Sequence, residues 1–419
     1  MTVPTSMLVE LLTGSTDASY EGPTPGAMAW ALLDRADPVL DRKSGAVLKE
    51  GRPRGSLPNV QIIFQHDSAW RERFAYCDLR QRVLIDGRPV SDADEAEVCL
   101  QLARVYSMTV PTATIHEAIQ WAAMRRRIHP VREWLSSLEW DGTPRVERWL
   151  LTYCSAKDTP LLRAVGRAWL IQAVARAMEP GCKADAVLIL QGVQGCRKST
   201  TCKVLGGEWF RDSDIDLSSK DRYSALEGAW IYELGELDAM RKADARALKA
   251  FVSSQVDSYR PSYGRNVRDT PRTTVFVGTT NDHEFLVDAT GSRRYLVAEV
   301  GQCYPERLEE DRDQLWAEAV ALYRAGEAWY LDATAEAARE EQAEAFAPVD
   351  SWDTVISSWA KDQFHPFALS RVWMEALGHE RTNGSRADDM RMATILRRHG
   401  YTKRREVRAD GRREVLWGR

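Results

Sequence analysis

The chain has 419 residues, room for two to four domains of ordinary size, and its 44% hydrophobic and 28% charged residues are typical of a folded, water-soluble protein. The net charge of −4 excludes a uniformly basic nucleic-acid binder. Charge is nevertheless uneven, because residues 379–419 hold twelve Lys or Arg against six Asp or Glu, a local balance of +6.

Membrane insertion and zinc binding are also disfavoured by the sequence. The longest apolar stretches, such as 186–190, are far shorter than a membrane span, and the first residues lack a basic region followed by an apolar run. We therefore expect a cytoplasmic protein with no membrane partner. The seven cysteines are scattered, with the closest pair six positions apart, so we expect small buried thiols in a reducing compartment.

The first 140 residues divide into a loosely organised start and a mostly helical domain. Residues 1–57 contain two possible short helices, 7–12 and 27–33, and end in a Gly/Pro-rich linker; we assign them no role. A mostly helical domain is predicted for residues 58–140. Its predicted elements are a strand or buried turn at 60–64, a strand at 82–85, and helices at 92–106, 115–127 and 131–138.

Residues 141–330 have the pattern of an α/β domain. After a turn at 141–144, the run Asp158-Thr159-Pro160 is a typical helix start and predicts a helix over 161–178. Apolar strands are then predicted at 186–190, 230–234, 274–278 and 295–300, with helical segments between most of them, and a further helix at 315–325. Such alternation favours a sheet with helices packed on it.

The remaining sequence predicts an acidic connecting helix at 331–350 and a basic domain at 351–419. The latter has three helical segments followed by a hairpin with Asp410-Gly411 at its turn, an order that indicates a winged helix. We expect its arginines to contact the phosphate backbone of DNA, and we single out Arg404, Arg405, Arg412 and Arg413. The alternatives are a solvated basic hairpin or one that docks on the acidic helix.

The strand at 186–190 runs into a glycine-rich turn followed by Lys-Ser-Thr at a helix start. This arrangement predicts a phosphate-binding loop in which backbone amides cradle phosphates, Lys198 reaches the β- and γ-phosphates, and Ser199 coordinates Mg²⁺. The loop consists of Gly192, Val193, Gln194, Gly195, Cys196, Arg197, Lys198, Ser199 and Thr200. Arg197 stands where the common pattern has glycine, a departure that puts the rate of hydrolysis in question.

The strand at 230–234 ends in carboxylates, as a strand that holds Mg²⁺ and polarises water would. We assign Glu233 to the metal and Glu236 to the catalytic base, and the reverse order stays open. The strand at 274–278 ends in Thr279-Thr280-Asn281, and Asn281 is the candidate for orienting the attacking water.

Two basic segments lie nearby in the sequence. Arg293 and Arg294 follow a Gly-Ser turn and are candidates for reaching a phosphate in a neighbouring subunit; the alternative is a surface arginine pair. The segment 249–268 mixes basic and aromatic residues around a glycine, so Lys249, Arg260, Tyr263 and Arg265 are candidate DNA contacts. A solvated loop explains each of them equally well.

Taken together, these motifs resemble the virulence-associated protein E family of phages and mobile genetic elements, over residues 58–330. The matching segments are 138–142, Arg176 with Pro180-Gly181, 192–200, 233–237, 249–251, 260–265, 279–281 and 291–295. The resemblance implies a helicase-like ATPase related to superfamily 3 and the AAA+ fold. It further implies ATP and Mg²⁺ as cofactors, a hexameric or similar ring, and a role in DNA replication. Relatives often carry a primase domain ahead of the ATPase; the short segment before residue 58 predicts no primase activity here.

Three classes of function are compatible with these motifs. The favoured class is a DNA-stimulated ATPase with helicase or loader activity, since Glu233, Glu236, Asn281 and the arginine pair are all present. The second is a binding module in which nucleotide only organises a ring around DNA. The third is an interaction protein of a mobile element that interferes with the replication of another phage.

Overall fold

The computed structural model divides the chain into two compact units, which are described separately. The first contains residues 1–281 and 293–339, and the second contains 282–292 and 340–419. The residues that the structure describes are 26–35, 39–40, 47–49, 51–213, 215–217, 219–235, 242–260, 267–283, 285–286, 293–346, 350–378, 385–409 and 412–418. Within these ranges, none of the helices combines the length and apolar character needed to span a bilayer. The possible helix at 7–12 lies outside them.

The amino-terminal part of the first unit is a small sheet covered by helices. Its sheet has the order β5-β4-β3-β6. The elements are α1 Ala27–Leu32, β1 Val39–Leu40, β2 Val47–Lys49, α2 Leu57–His66, β3 Phe74–Cys77, β4 Arg82–Ile85, β5 Arg88–Pro89, α3 Asp92–Tyr106, α4 Thr112–Arg125, β6 Arg127–Ile128 and α5 Pro130–Ser137. The predicted strand at 82–85 and the helices at 27–33, 92–106, 115–127 and 131–138 are confirmed, with ends shifted by at most three residues.

The predicted strand or buried turn at 60–64 is wrong, because these residues lie inside α2. The buried positions Val60, Ile63 and Phe64 repeat at three and four residues, which is the spacing of one helix face. Asn59 is also fully buried, and its side-chain amide donates to the Asp34 carbonyl at 2.7 Å. The run 60–64 is apolar at four of its five positions, and so short a run does not distinguish a strand from one face of a helix.

A parallel five-stranded sheet forms the centre of the first unit. Its order is β13-β7-β12-β9-β8, and every neighbouring pair is parallel. The strands are β7 Val187–Gln191, β8 Phe210–Arg211, β9 Ile231–Leu234, β12 Val275–Thr280 and β13 Tyr295–Glu299. All four predicted strands are confirmed, and the two-residue β8 at the edge is an addition. Because the strands are parallel, the carboxyl ends of β7, β12 and β9 lie side by side.

Helices cover this sheet: α6 Trp149–Cys154, α7 Pro160–Met178, α8 Lys198–Gly206, α9 Lys242–Val252 and α10 Pro305–Arg324. Thr159 caps α7 as predicted, since its side chain accepts from the Leu162 amide at 3.1 Å. Helix α7 is buried along most of its length, and the Trp169 indole donates to the Phe276 carbonyl of β12 at 3.0 Å. The helix predicted at 315–325 begins ten residues earlier, at Pro305. The sequence pattern does not reveal this start, because charged residues interrupt the apolar spacing in the first half of the helix.

An antiparallel hairpin, β10 Val256–Tyr259 and β11 Arg268–Pro271, precedes β12. Its second strand contacts the amino-terminal part at two points. Near the base, the Thr270 hydroxyl donates to Gln81 at 3.3 Å, and at the turn end the Arg268 guanidinium donates to the Tyr76 hydroxyl at 3.4 Å. A buried ion pair closes the base, with Arg272 Nε 3.1 Å from both carboxylate oxygens of Asp257. These contacts hold both strands of the hairpin, which flank residues 261–266.

Among the described residues of the second unit, the three predicted helical segments and the predicted hairpin are confirmed. A short strand that the sequence did not predict, β14 at Phe367–Ala368, pairs with the hairpin and makes the sheet three-stranded. Helix α11 Ala333–Ala345 confirms the predicted acidic helix. The boundary between the two units falls within it. The other elements are α12 Asp353–Lys361, β14 Phe367–Ala368, α13 Leu369–Arg371 continuing as a π-helical segment Val372–Ala376, α14 Arg386–Arg398, and the hairpin β15 Thr402–Ala409 and β16 Arg412–Gly418. Trp417 of β16 and Phe367 of β14 lie in its apolar core.

Candidate functional site

The loop between β7 and α8 has the backbone that close approach to a ligand requires. A Cβ atom on Gly192 would lie 2.5 Å from the Val300 carbonyl oxygen, so only glycine fits there without a shift. Gly195 has a φ of +83° with nothing within 4 Å of its would-be Cβ. Strand β7 is also where the chain order reverses, since β12 and β13 flank it. In parallel sheets, ligands bind at the carboxyl end of such a strand.

Arg197 takes the conformation that the missing glycine would supply. Its φ is +71°, in the left-handed region, and it is the last residue before α8. The side chain forms a two-pronged ion pair with Glu306 in the first turn of α10, with Nη1 2.8 Å from Oε2. Hydrogen bonding from the Arg197 guanidinium lowers the pKa of Glu306, and the Glu306 carboxylate raises the pKa of Arg197. The Arg197 side chain therefore extends toward α10.

Lys198 lies with its ammonium group inside the loop. Its Nζ donates to the carbonyls of Gly192 at 2.8 Å and Val193 at 3.0 Å, and to Asn281 Oδ1 at 2.9 Å. The side chain is buried, and the Asn281 contact crosses from α8 to the end of β12. The structure thus brings together two of the residues predicted to act on a nucleotide, Lys198 and Asn281.

Glu233, at the end of β9, accepts two hydroxyl hydrogen bonds on the same oxygen. Ser199 Oγ and Thr279 Oγ1 each donate to Oε1 at 2.6 Å. The other oxygen, Oε2, is buried and has no hydrogen-bond partner within the described ranges. Leaving a carboxylate oxygen unpaired in the interior is costly, and such an atom is a typical ligand for a cation or its bound water.

These groups fit a magnesium ion bound together with a nucleotide. Mg²⁺ takes oxygen ligands and is usually held by one or two carboxylates plus substrate phosphates and water. Glu233 and Ser199 supply a carboxylate and a hydroxyl beside the loop. Among the described residues, there is no group of three or more His, Cys, Asp or Glu side chains that could hold a metal by themselves. A carboxylate and a hydroxyl are donors that fit a cation whose remaining ligands come from phosphate and water.

The remaining predicted site residues have different positions. Glu236 and the loop residues Tyr263 and Arg265 lie outside the described residues, as do the side chains of Arg405, Arg412 and Arg413. Lys249 lies on α9, before the hairpin, and Arg260 directly follows β10, the first strand of the hairpin. Arg404 is exposed on β15.

The structure does not bring Arg293 and Arg294 to Lys198. They precede β13, whose first residue pairs with the first residue of β7, so they lie at the opposite end of the sheet from the loop. A five-residue strand spans about 16 Å. Arg294 is engaged in its own unit, with Nε donating to Ser253 Oγ at 2.7 Å and lying 3.5 Å from Asp185 Oδ2, whereas Arg293 is exposed.

Thr279 and Glu306 make contacts at the site that the sequence does not indicate. Thr279 belongs to a polar strand end, and its place in β12 beside β9 is the signal that links it to Glu233. Glu306 follows Cys303-Tyr304-Pro305, a helix start that the sequence does not connect to Arg197, more than one hundred residues earlier.

A family model for the virulence-associated protein E-like domain matches residues 135–348, just over half of the chain, including both the loop and the ends of β9 and β12. The chain belongs to the virulence-associated protein E-like family. No curated protein matches this chain in sequence. Among solved structures, the apo C-terminal region of NrS-1 is 14% identical with a TM-score of 0.39, covering 67% of this chain and 77% of that chain. An A-form apo structure of the same region has 12% identity and a TM-score of 0.40 at the same coverage.

Proposed function

We propose that this virulence-associated protein E-like chain is an ATP-hydrolysing DNA helicase, or helicase-like replication ATPase, of a phage or mobile genetic element. The observation that carries the proposal is the convergence of Lys198, Ser199, Glu233 and Asn281 at the carboxyl ends of three adjacent strands. A P-loop ATPase core needs these residue types there: a lysine for phosphate charge, a hydroxyl and a carboxylate for Mg²⁺, and an amide for water.

Each group has a defined task in the proposed reaction. Backbone amides at the start of α8 bind phosphate oxygens, helped by the helix dipole. Lys198 Nζ moves from the Gly192 and Val193 carbonyls to the β- and γ-phosphates. Asn281, released from Lys198, orients the attacking water, and Glu236 is the proposed base that accepts its proton. Ser199 and Glu233 would hold Mg²⁺, which when bound would supply positive charge beside the phosphates.

DNA contact is proposed for two regions. The hairpin β10–β11 brackets the predicted contacts Tyr263 and Arg265, and its base is fixed by the buried Arg272–Asp257 pair. In the second unit, three helical segments followed by a basic hairpin support a winged helix that contacts the phosphate backbone through the predicted arginines. A ring, with active sites between subunits, is proposed from the placement of Arg293 at the opposite end of the sheet from Lys198.

A phosphate-release assay with and without single-stranded DNA tests this function. The full chain should hydrolyse ATP in the presence of Mg²⁺, faster with DNA, and Lys198→Ala should abolish hydrolysis because the phosphate charge loses its partner. Lys203→Ala is the matched control, since Lys203 is exposed on the same helix and should leave the rate unchanged. Hydrolysis by Lys198→Ala at the unsubstituted rate would show that the site is assigned wrongly.

A further inference from the structure

The carboxylate of Glu233 is held asymmetrically, and only part of that arrangement follows from the predicted metal site. Ser199, at the start of α8, is one of its two hydroxyl donors and is itself a proposed ligand of Mg²⁺. Thr279 is the second donor, at the same distance of 2.6 Å and to the same oxygen, Oε1. The two hydroxyls are 3.5 Å apart, so both converge on one side of the carboxylate.

The sheet explains why Thr279 can reach Glu233. Strand β12 lies between β7 and β9, and Val277 is directly opposite Glu233 in the parallel register. Thr279 is two residues farther along β12 and therefore has its side chain on the same face as Val277. A threonine is suited to this place, because its branched side chain is restricted at χ1 and favours a strand. The donor to Glu233 is thus fixed by the sheet.

We propose that Thr279 is a positioning residue that orients Glu233 for Mg²⁺. By occupying Oε1 together with Ser199, its hydroxyl fixes the rotation of the carboxylate and leaves Oε2 available to the ion or to water bound to it. Ser199 can then offer its oxygen lone pairs to the ion while its hydroxyl still donates its hydrogen bond to Glu233 Oε1. Without Thr279, the carboxylate depends on Ser199 alone for its orientation. The inference rests on the proposed nucleotide site and adds a residue to it.

Equilibrium binding of a fluorescent ATP analogue to the full chain, in EDTA and over a Mg²⁺ titration, tests this role apart from turnover. Thr279→Val keeps the shape and removes the hydroxyl. It should raise the Mg²⁺ concentration at half-maximal effect by about 10–100-fold, as loss of a residue that orients a metal ligand does. Affinity in EDTA should be unchanged, because the loop and Lys198 stay intact. Thr279→Ser keeps the hydroxyl and should behave like the unsubstituted chain. If Thr279→Val does not fold, Thr279→Ala replaces it and should show the same shift in the Mg²⁺ response.

Thr274→Val is the matched control. Its hydroxyl is buried just before β12, at the other end of the strand, and donates to the Ala229 carbonyl at 2.7 Å. It should leave the Mg²⁺ response unchanged. An unshifted Mg²⁺ response in Thr279→Val, or an equal shift in Thr279→Ser, would overturn the role of Thr279 while leaving the nucleotide site standing. If ATP binding to the unsubstituted chain does not respond to Mg²⁺ at all, the proposed function fails together with this inference.

Discussion

At the scale of the residue, two positions of the loop before α8 meet different demands, one for space and one for backbone torsion. Gly192 is required by the nearby Val300 carbonyl, but Arg197 supplies the left-handed torsion despite carrying a long side chain. Non-glycine residues enter that region at a steric cost, so something else must favour arginine there. The ion pair with Glu306 is an interaction that a glycine could not make.

Replacing Arg197 separates torsion from side-chain contact. Arg197→Gly should keep ATP affinity and turnover within about threefold, since the guanidinium extends toward Glu306 and not toward Lys198. Arg197→Ala loses the ion pair but keeps the steric cost, so it should melt at a lower temperature than the glycine variant. Calorimetry and steady-state phosphate release on both variants check this. A tenfold or larger increase in KM for Arg197→Gly would instead indicate that Arg197 contacts the nucleotide.

At the scale of the element, α5 has an unusual amino-terminal cap. His129 is the cap residue, and its Nδ1 accepts from the Arg132 amide at 3.2 Å. The ring is buried, and Nε2 has no hydrogen-bond partner among the described residues. Burial, with a smaller contribution from the nearby Arg132 charge, lowers the pKa of His129 to about 4. The cap therefore works with a neutral imidazole.

This cap predicts a loss of local stability in mild acid. Because the folded pKa lies below the ordinary value of about 6.5, the unfolded helix binds the extra proton, and stability falls as the pH drops from about 6.5 toward 4. By pH 5 the loss should be about 2 kcal/mol. Hydrogen–deuterium exchange of α5 at pH 7 and pH 5, corrected for intrinsic rates, measures it. His129→Asn, which keeps a capping side chain without a titrating group, should lack this part of the pH dependence. Equal pH dependence in both proteins would contradict the role of His129.

The elements that sequence patterns predict are those whose own residues carry a clear apolar run or a cap. The strands β7, β9, β12 and β13 are apolar runs bounded by polar residues, and α3 carries its own cap, with the Ser91 side chain accepting from the Asp94 amide. Helix α2 has no such signal, because its buried Asn59 is polar and forms its hydrogen bonds with Asp34, a partner 25 residues away. Likewise, the two-residue β8 exists only because it pairs with β9.

The candidate site divides in the same way. Lys198, Glu233 and Asn281 could be placed together beforehand, because the carboxyl ends of parallel strands meet at one edge. The contacts Thr279–Glu233 and Arg197–Glu306 could not, because they depend on the order of the strands and on where α10 begins. The residue types of the site are therefore evident from the sequence, whereas their mutual orientation is evident only from the fold.

At the scale of the whole molecule, the proposed ring requires a cation from a neighbouring subunit. Arg294 is tied to Ser253 and Asp185 within its own unit, which makes the exposed Arg293 the better of the two candidates for contact in trans. Heterologous interfaces of this kind place the same surface pair between each subunit and the next. In the proposed ring, each active site would combine Lys198 from one chain with Arg293 from another.

Complementation between inactive variants tests that arrangement. Lys198→Ala and Arg293→Ala should each be inactive alone, while an equal mixture should recover up to about a quarter of the unsubstituted rate. Half of the subunits retain Lys198, and half of their neighbours retain Arg293, if subunits assort at random. Native mass spectrometry provides the control that the two variants have exchanged subunits. A mixed oligomer with no more activity than its components, or an active Arg293→Ala protein, would exclude catalysis in trans.

The hairpin and the candidate site are consecutive parts of the same polypeptide. Strand β11 ends at Pro271 and β12 begins at Val275, so only three residues separate the base of the hairpin from the strand that ends beside Thr279 and Asn281. Strand β12 is hydrogen-bonded on both sides, to β7 and β9, which makes it stiff along its length. Displacement of the hairpin by the proposed DNA contact would therefore load β12 together with the two strands bonded to it, and the candidate site lies at the carboxyl ends of these three strands.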